Sequence, residues 1–285
     1  MITIGQALRQ GVEKLSEHSE TPNLDVQVLL ANILNQSRAW IVSHPEVELT
    51  TSELSAWQVN LNSLVNGTPL PYVIGHWEFF GLDFKVSPDT LIPRPETEIL
   101  VEQAISWLDE DHEPGSRVAD IGTGTGCIAI SIAKYNSIST IYATDLSLPA
   151  LKIAIENAQK HCVADRIEFL VGNLLNPLDT KFDLICANLP YIPAHALPNL
   201  EIAHHEPLLA LNGGHQGMEQ IAQLIKVAPL HLNPGGLLLI EIEKTRADLV
   251  QSLAKQHFPA AEISLLQDLS HHDRLVKIQQ SIYHC

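Results

Sequence analysis

Basic residues are scarce in this 285-residue sequence. The 17 lysines and arginines stand against 33 aspartates and glutamates, which gives a formal net charge of −16. Extended contact with a phosphate backbone depends on clustered lysine and arginine, so this balance argues against a protein that reads nucleic acids. It is compatible with a small-molecule substrate or with a protein substrate, including one with a basic surface.

Long hydrophobic runs are also missing. The longest runs, such as Leu237 to Ile240, fall far short of the roughly 18 residues that a membrane-spanning helix needs. The first residues, Met1 to Gln6, contain neither the basic region nor the long apolar region of a signal peptide. We therefore expect a cytoplasmic protein that does not bind membranes.

Cysteine is rare, and metal-binding patterns are absent. The sequence has 4 cysteines without a C-x-x-C pair, at Cys127, Cys162, Cys186 and Cys285. This spacing argues against a zinc site and against a disulfide framework. The 14 histidines include no H-E-x-x-H pattern. We expect no bound metal, and we interpret the cysteines as small buried or incidental thiols and the histidines as surface or packing residues.

The sequence instead divides into segments with different patterns. Its length predicts a main domain and a smaller one. Apolar residues at helical spacing over residues 1–75, with a capping box at Thr50 and Glu53, predict an N-terminal helical bundle. We interpret this bundle as a docking module for substrate recognition without chemistry of its own. Residues 76–95 contain a predicted hairpin and a proline-rich segment, and we expect them to link the two domains.

Residues 96–285 alternate between strand and helix patterns and form the expected catalytic domain. Helices are predicted over residues 127–134, 149–161, 217–229 and 246–256. Strands are predicted over residues 118–121, 140–144, 167–171, 182–187 and 237–242, followed by a closing antiparallel hairpin over 262–266 and 275–278. This order predicts an α/β fold with a doubly wound, mostly parallel, seven-stranded sheet of the Rossmann-like type.

A glycine-rich turn, Asp120 to Gly126, follows the first predicted strand of this sheet and leads into a helix. Ligands of doubly wound sheets bind beyond the carboxyl ends of the strands, and glycine permits close approach of the backbone. The G-x-G-x-G spacing, without a following Lys-Ser/Thr pair, disfavours a phosphate P-loop. We expect cofactor binding by Gly122, Thr123, Gly124, Thr125 and Gly126.

Two polar residues at the ends of the next strands extend this predicted cofactor site. Asp145 can accept hydrogen bonds from both hydroxyls of a ribose, although it can instead cap the helix that follows. Asn173 stands where a side chain can meet the edge of an adenine, although Gly172-Asn173 is also an ordinary turn pair. Nicotinamide dinucleotides and S-adenosylmethionine both fit this pattern.

The turn Asn188-Leu189-Pro190-Tyr191 follows the fourth predicted strand. A side-chain amide and neighbouring carbonyls can accept hydrogen bonds from a planar NH2 group while a tyrosine ring lies against its face. We therefore predict substrate binding by all four residues, catalytic roles for Asn188, Pro190 and Tyr191, and contact of Asn188 with the cofactor as well. The alternative is an ordinary turn with Tyr191 packed in the core.

These residues resemble the class I methyltransferases with an (N/D)-P-P-(Y/F) motif, and within them the protein-(glutamine-N5) methyltransferases that modify peptide chain release factors. Four segments carry the resemblance, and a later one adds to it. They are Asp120 to Gly126, Asp145, Asn188 to Pro193, Ile92 to Glu98, and the later stretch Glu206 to Gly214. Two departures stand out: Leu189 replaces the usual first proline of the motif, and Glu241 to Lys244 lacks an expected glycine.

The resemblance implies that the cofactor is S-adenosylmethionine and that the reaction methylates N5, the side-chain nitrogen of a glutamine. It also implies that peptide chain release factors are the protein partners. An N6-adenine nucleic-acid methyltransferase is the nearest alternative, because an exocyclic amine offers similar donors, but the net charge of −16 disfavours it. A nicotinamide-dependent oxidoreductase is a second alternative, but the sequence shows no second nucleotide-binding half to support it. A non-catalytic binding module with the same fold is the third alternative.

Overall fold

The computed structural model describes residues 2–110, 115–137 and 139–282, and Cys285 lies outside them. The chain divides into two compact units, Met1–His76 and Trp77–Cys285. Within the described ranges, no helix is both long and apolar enough to cross a membrane.

The first unit is a small helical bundle. Its helices are α1 (Ile4–Leu15), α2 (Pro22–Leu34), α3 (Arg38–Ser43), α4 (Thr51–Val65) and α5 (Leu70–Ile74). The predicted capping box of α4 is confirmed, because the Thr50 hydroxyl accepts from the Glu53 N–H and the Glu53 carboxylate accepts from the Thr50 N–H. Apolar side chains of these helices, including Ile4, Leu29 and Trp57, form one buried cluster.

A predicted hairpin precedes the main sheet. It consists of β1 (His76–Phe79) and β2 (Leu82–Lys85), which form a two-stranded sheet. Phe79 and Phe84 from these strands are buried in the core of the second unit. The proline-rich segment then ends in a 3-10 turn, Pro95–Thr97, that leads directly into helix α6 (Glu98–Asp109).

The main sheet contains β3 (Arg117–Ile121), β4 (Thr140–Asp145), β5 (Ile167–Val171), β6 (Phe182–Ala187), β7 (Leu232–Glu241), β8 (Glu262–Gln267) and β9 (Asp273–Gln279). In the described part of the chain, these seven strands lie in the order β5-β4-β3-β6-β7-β9-β8. The pairs among β3 to β7 are parallel, and β9 runs antiparallel to both β7 and β8. The predicted fold class is confirmed.

Helices cover both faces of this sheet. They are α6, α7 (Cys127–Tyr135), α8 (Leu148–Lys160), α10 (Glu219–His231) and α11 (Ala247–His257), and a further short helix, α9 (Leu208–Leu211), lies between β6 and α10 in the sequence. Side chains of α6 and α7 belong to one apolar cluster, and those of α10 and α11 belong to another. Neighbouring strand residues alternate between the clusters, as Leu184 and Ile185 do, because successive side chains of a strand point to opposite faces.

Strand β7 begins earlier than the sequence pattern predicts. The expected start was residue 237, but the strand begins at Leu232 and runs through Pro234, Gly235 and Gly236. Pairing with β6 shifts register between Phe182 and Leu184, because β7 has three more residues than β6 between the paired positions. Proline and glycine ordinarily signal a turn, which is why the sequence pattern misplaced this boundary.

Candidate active site

A cavity of about 520 Å³ lies beside the turns that follow strands β3 to β6. Its volume is within the range of roughly 300 to 1,000 Å³ that is typical of small-molecule sites. Seven of the predicted site residues line it: Gly122, Gly124, Asp145, Asn173, Asn188, Leu189 and Pro190. The structure therefore brings the predicted cofactor and substrate groups to one place.

The register of the parallel strands explains this convergence. Ile121 at the end of β3 pairs with Thr144 of β4 on one side and with Ala187 of β6 on the other. The next residues along the three strands are Gly122, Asp145 and Asn188. Parallel strands end at the same edge of a sheet, so the three loops open onto the same crevice.

Gly122 lies directly against the Asn188–Tyr191 turn. Its φ is +75°, and a Cβ atom built there would lie 3.1 Å from Cδ2 of Leu189. A larger residue would therefore need both an unfavourable backbone conformation and a displaced leucine. The Leu189 side chain is only 4% exposed and packs in the apolar cluster on one face of the sheet. Leu189 therefore contributes an apolar side chain to the core at the position where the resembled motif has proline.

Asp145 is held by backbone donors on both carboxyl oxygens. Oδ2 accepts from the Gly124 N–H at 2.9 Å, and Oδ1 accepts from the Ser147 N–H at 2.8 Å. Burial raises the pKa of Asp145, while the hydrogen bonds from Ser147 and Gly124 act in the opposite direction. The side-chain cap of α8 is Ser147, whose hydroxyl accepts from Ala150. Asp145 thus links the glycine turn to the start of α8 while lining the cavity.

Thr123, Thr125 and Gly126 are not among the lining residues of the cavity in the described part of the chain. The Thr123 hydroxyl donates to Oδ2 of buried Asp120 at 2.6 Å, and the Thr125 carbonyl accepts from the Asn157 amide at 2.9 Å. These contacts stabilise the conformation of the glycine turn. A direct part in cofactor binding remains a prediction for all three residues.

Asn188 is oriented by the proline-rich segment. Its Nδ2 donates to Oγ1 of Thr97 at 3.0 Å. Among the described residues, no donor is bonded to the carbonyl oxygen of Leu189 or of Pro190. One side-chain amide and two backbone carbonyls therefore come from the same short turn that lines the cavity.

Tyr191 differs from its three neighbours in the motif. Its half-buried ring packs against the same apolar cluster as Leu189. Burial raises the pKa of Tyr191 to about 12, so the phenol is neutral at physiological pH. Tyr191 does not line the cavity within the described ranges, and its predicted substrate contact stays a prediction.

The wall of the cavity also depends on Glu206, to which the sequence patterns assign no role in the site. This buried carboxylate forms an ion pair with Arg94 and accepts from the Ile92 N–H at 3.1 Å. It thereby joins the proline-rich segment to Pro207 and Leu208, which line the cavity. The available signal was the Glu206-Pro207 pair in the later segment of the resemblance.

Gly213 permits the close approach of this wall to the Asn188–Tyr191 turn. A Cβ atom built there would lie 2.7 Å from the Pro190 carbonyl oxygen and 2.8 Å from Cα of Tyr191. The Gly213 N–H donates to the Ile192 carbonyl at 2.9 Å, and the Ile192 N–H donates to the Leu211 carbonyl at 3.1 Å. Two backbone segments are thus held together where the candidate substrate groups lie.

The doubly wound sheet, the glycine turn, the acid after β4 and the Asn-Leu-Pro-Tyr turn after β6 define a class I methyltransferase. Solved methyltransferases show the same fold. One from Pyrococcus furiosus has a TM-score of 0.54 and 16% identity, covering 82% of this chain and 100% of that chain. A 16S rRNA methyltransferase from Thermus thermophilus, in complex with AdoMet and guanosine, has a TM-score of 0.53 and 15% identity. That match covers 72% of this chain and 49% of the other.

Sequence comparisons narrow the class to a family. The family profile of the PrmC N-terminal domain matches residues 6–75, and that of ribosomal protein L11 methyltransferase (PrmA) matches residues 101–206. The release factor glutamine methyltransferase of Moorella thermoacetica is 39% identical over 96% of this chain and 97% of its own length. The release factor glutamine methyltransferase of Coxiella burnetii is 37% identical over 89% of this chain and 90% of its own length. The chain belongs to the release factor glutamine methyltransferase family.

Proposed function

We propose that this chain uses S-adenosylmethionine to methylate N5, the side-chain amide nitrogen of a glutamine, in peptide chain release factors. The observation that carries the proposal is the position of Asn188, Leu189 and Pro190 in the wall of the cavity that also contains the glycine turn and Asp145. Relatives that span about nine tenths or more of this chain are named release factor glutamine methyltransferases.

The cavity residues fit S-adenosylmethionine. Asn173 lines the cavity, and its buried Oδ1 has no hydrogen-bond partner among the described residues, so it can accept from an adenine amino group. The Asp145 carboxylate retains acceptor capacity for two ribose hydroxyls beyond its two backbone donors. Gly122 and Gly124 allow the ligand to approach the backbone. We assign these four residues to cofactor binding.

The bound cofactor supplies an electrophilic methyl group on a sulfonium. The chain's own part is to present the acceptor nitrogen, which is a poor nucleophile because its lone pair is delocalised into the amide. Oδ1 of Asn188 and the carbonyl oxygen of Leu189 or Pro190 accept the two N–H groups of the substrate amide. These hydrogen bonds fix the plane of the amide and increase electron density on its nitrogen.

When the methyl group passes to the amide nitrogen, the sulfonium sulfur would keep the electron pair of the broken bond and the nitrogen would become cationic. One N–H proton can then leave to water, so this arrangement needs no general base. The carboxylates that line the cavity in the described part of the chain are Asp89 and Asp145, and Asp145 is assigned to the ribose. Tyr191 is neutral and packed against the sheet, so it holds the turn in place. Catalysis by Asn188, Pro190 and Tyr191 therefore depends on alignment and electrostatics, which also supply large rate effects in other enzymes.

We assign recognition of the release factor to residues 1–75 and catalysis to residues 96–285. Residues 76–95, predicted as a linker, pack with the second unit, because Phe79 and Phe84 lie in its core. The match of a dedicated N-terminal family profile to residues 6–75 supports a separate role for the helical unit. The net charge of −16 supports a protein substrate over direct contact with nucleic acid.

Isotope transfer tests the proposed function. The protein is incubated with methyl-labelled S-adenosylmethionine and purified release factors, and the modified residue is located by mass spectrometry of peptides. We expect label on a glutamine side chain, and no label on a release factor in which that glutamine is replaced by alanine. Label on another residue type, or on RNA added to the same reaction, would contradict the proposal.

A further inference from the structure

Asn157 is a buried asparagine whose side-chain amide joins two separate segments of the second unit. It lies on α8 and is 0% exposed. Nδ2 donates to the carbonyl oxygens of Lys85 at 3.0 Å and of Thr125 at 2.9 Å, and Oδ1 accepts from the Lys85 N–H at 2.7 Å. An asparagine amide has two N–H donors, so both are used here. The amide is therefore held in one orientation between strand β2 and the glycine turn.

One end of this connection is the glycine turn beside the cavity. Thr125 lies between Gly124 and Gly126, whose φ values are +57° and +82°. Glycine loses more backbone freedom than other residues when it becomes ordered, so contacts from outside the turn are needed to hold one conformation. Gly124 lines the cavity and donates its N–H to Asp145. The bond from Asn157 to Thr125 thus fixes the turn one residue away from a cavity-lining position.

The other end is strand β2, which leads to another part of the cavity wall. Lys85 exchanges two backbone hydrogen bonds with the side-chain amide, in the way that paired residues of antiparallel strands do. Residues 89–91, which line the cavity, begin four positions later. The ion pairs Lys85–Glu156 and Lys160–Asp83 also attach the hairpin to α8, but they are solvent-exposed and such pairs contribute little. The buried amide is therefore the stronger constraint.

Helix α8 supports this amide close to the glycine turn. Ser147 and Ala150, at the start of the helix, line the cavity. About one turn before Asn157, Ala154 packs against Gly126, where an added Cβ atom would lie 3.1 Å from Cβ of Ala154. The packing of α8 thus sets the distance between the amide and the turn.

We infer that Asn157 is a positioning residue that holds the glycine turn in the conformation that binds S-adenosylmethionine and couples this turn to residues 85–91. The inference rests on the proposed function, because S-adenosylmethionine is the cofactor assigned to the cavity. Asn157 does not line the cavity in the described part of the chain, so it acts through Thr125 and Lys85. Without its amide, the Thr125 carbonyl and two backbone groups of Lys85 would lose a partner inside the protein.

Cofactor binding by two variants tests this role. Asn157→Leu keeps the branching of the side chain and removes all three hydrogen bonds. Asn157→Asp keeps an acceptor for the Lys85 N–H but loses the donor to Thr125. We expect calorimetry to find about tenfold weaker binding of S-adenosylmethionine by both variants, because the binding conformation would be populated only about a tenth of the time. At saturating cofactor, kcat should stay within about threefold of the wild type, since binding restores the turn.

Asn136→Leu is the matched control. Asn136 is 3% exposed, its side chain is hydrogen-bonded to Asp109 and Ser139, and it does not line the cavity within the described ranges. We expect this variant to bind S-adenosylmethionine within about twofold of the wild type, even where urea unfolding shows a comparable loss of stability. Wild-type affinity in either Asn157 variant, or an equal loss of affinity in Asn136→Leu, would overturn the inference.

Hydrogen exchange in the wild-type protein tests the coupling without any variant. The Lys85 N–H is bonded to Asn157 and the Phe80 N–H to Glu98, so both are hairpin amides held by a side chain outside the hairpin. Saturating S-adenosylmethionine should slow exchange at Lys85 at least about threefold more than at Phe80, because Lys85 shares its partner with the glycine turn.

The outcomes separate this inference from the proposed function. An equal change at both amides, or no change at either while the cofactor binds, would overturn the inference and leave the proposed function standing. A wild-type protein that does not bind S-adenosylmethionine would contradict the proposed function, and the inference with it.

Discussion

Asp120, at the carboxyl end of β3, should make the stability of the second unit depend on pH. It is fully buried, and burial raises its pKa from 3.8 to about 7, although hydrogen bonds from Thr123 and Ala129 oppose the shift. An acid with a raised pKa binds its proton more tightly in the folded state than in the unfolded chain. Its contribution to stability is therefore complete below pH 3.8 and is lost as pH rises through about 7.

The size of this effect follows from the shift. The difference between 3.8 and about 7 corresponds to about 4 kcal/mol of unfolding free energy. Asp120→Asn removes the titration but keeps an oxygen to accept from Thr123 and Ala129. Its NH2 group replaces Oδ1, which has no hydrogen-bond partner among the described residues, at a pH-independent cost of about 1–3 kcal/mol. The variant should be less stable than the wild type at about pH 4 and more stable at about pH 8.

Urea unfolding at several pH values measures the difference. Replacing Trp40 and Trp57 of the first unit with phenylalanine leaves Trp77 and Trp107 of the second unit as fluorescent reporters. The free-energy difference between Asp120→Asn and its parent should rise by about 4 kcal/mol from about pH 4 to about pH 8. A difference that stays constant with pH would refute the reasoning, because other titrating groups are common to both proteins.

Three further predictions concern the site and the class of substrate. Asp145→Ala should weaken S-adenosylmethionine binding by about tenfold or more, because it removes the ribose acceptor, and unchanged affinity in calorimetry would exclude that role. Gly213→Ala should lower kcat by at least about tenfold, since its Cβ would lie 2.7 Å from the Pro190 carbonyl oxygen and must displace the turn. Wild-type steady-state kinetics from this variant would show that the contact is not needed. Filter binding at low salt should detect no retention of RNA or DNA, because the net charge is −16, and tight, salt-sensitive retention would count against a protein substrate.

The sequence predicted the fold well because local patterns and tertiary packing agree in this chain. The strands over Ile167–Val171 and Phe182–Ala187 have the predicted bounds, and the antiparallel closing strands are present. Their order in the sheet was less visible, since β9 lies between β7 and β8. A pattern of buried side chains indicates a strand, but it does not say which neighbour the strand pairs with.

The sequence also identified the elements of the site better than the contacts among them. The convergence of Gly122, Asp145 and Asn188 follows from a general rule for the ends of parallel strands. The bond of Asn188 to Thr97, and the bonds of Glu206 to Ile92 and Arg94, join residues from segments far apart in the sequence. Leu189 shows the same limit, because its burial beside Gly122 depends on packing that the motif alone does not describe.

Methyl transfer by Asn188→Ala tests the central claim most directly. With labelled S-adenosylmethionine at saturation and a release factor as substrate, kcat should fall by about 10²- to 10³-fold, because one acceptor of the substrate amide is lost. Calorimetry on the same protein should find S-adenosylmethionine affinity within about twofold of the wild type, which shows that the cavity is intact. A variant that methylates the release factor at the wild-type rate would contradict the account.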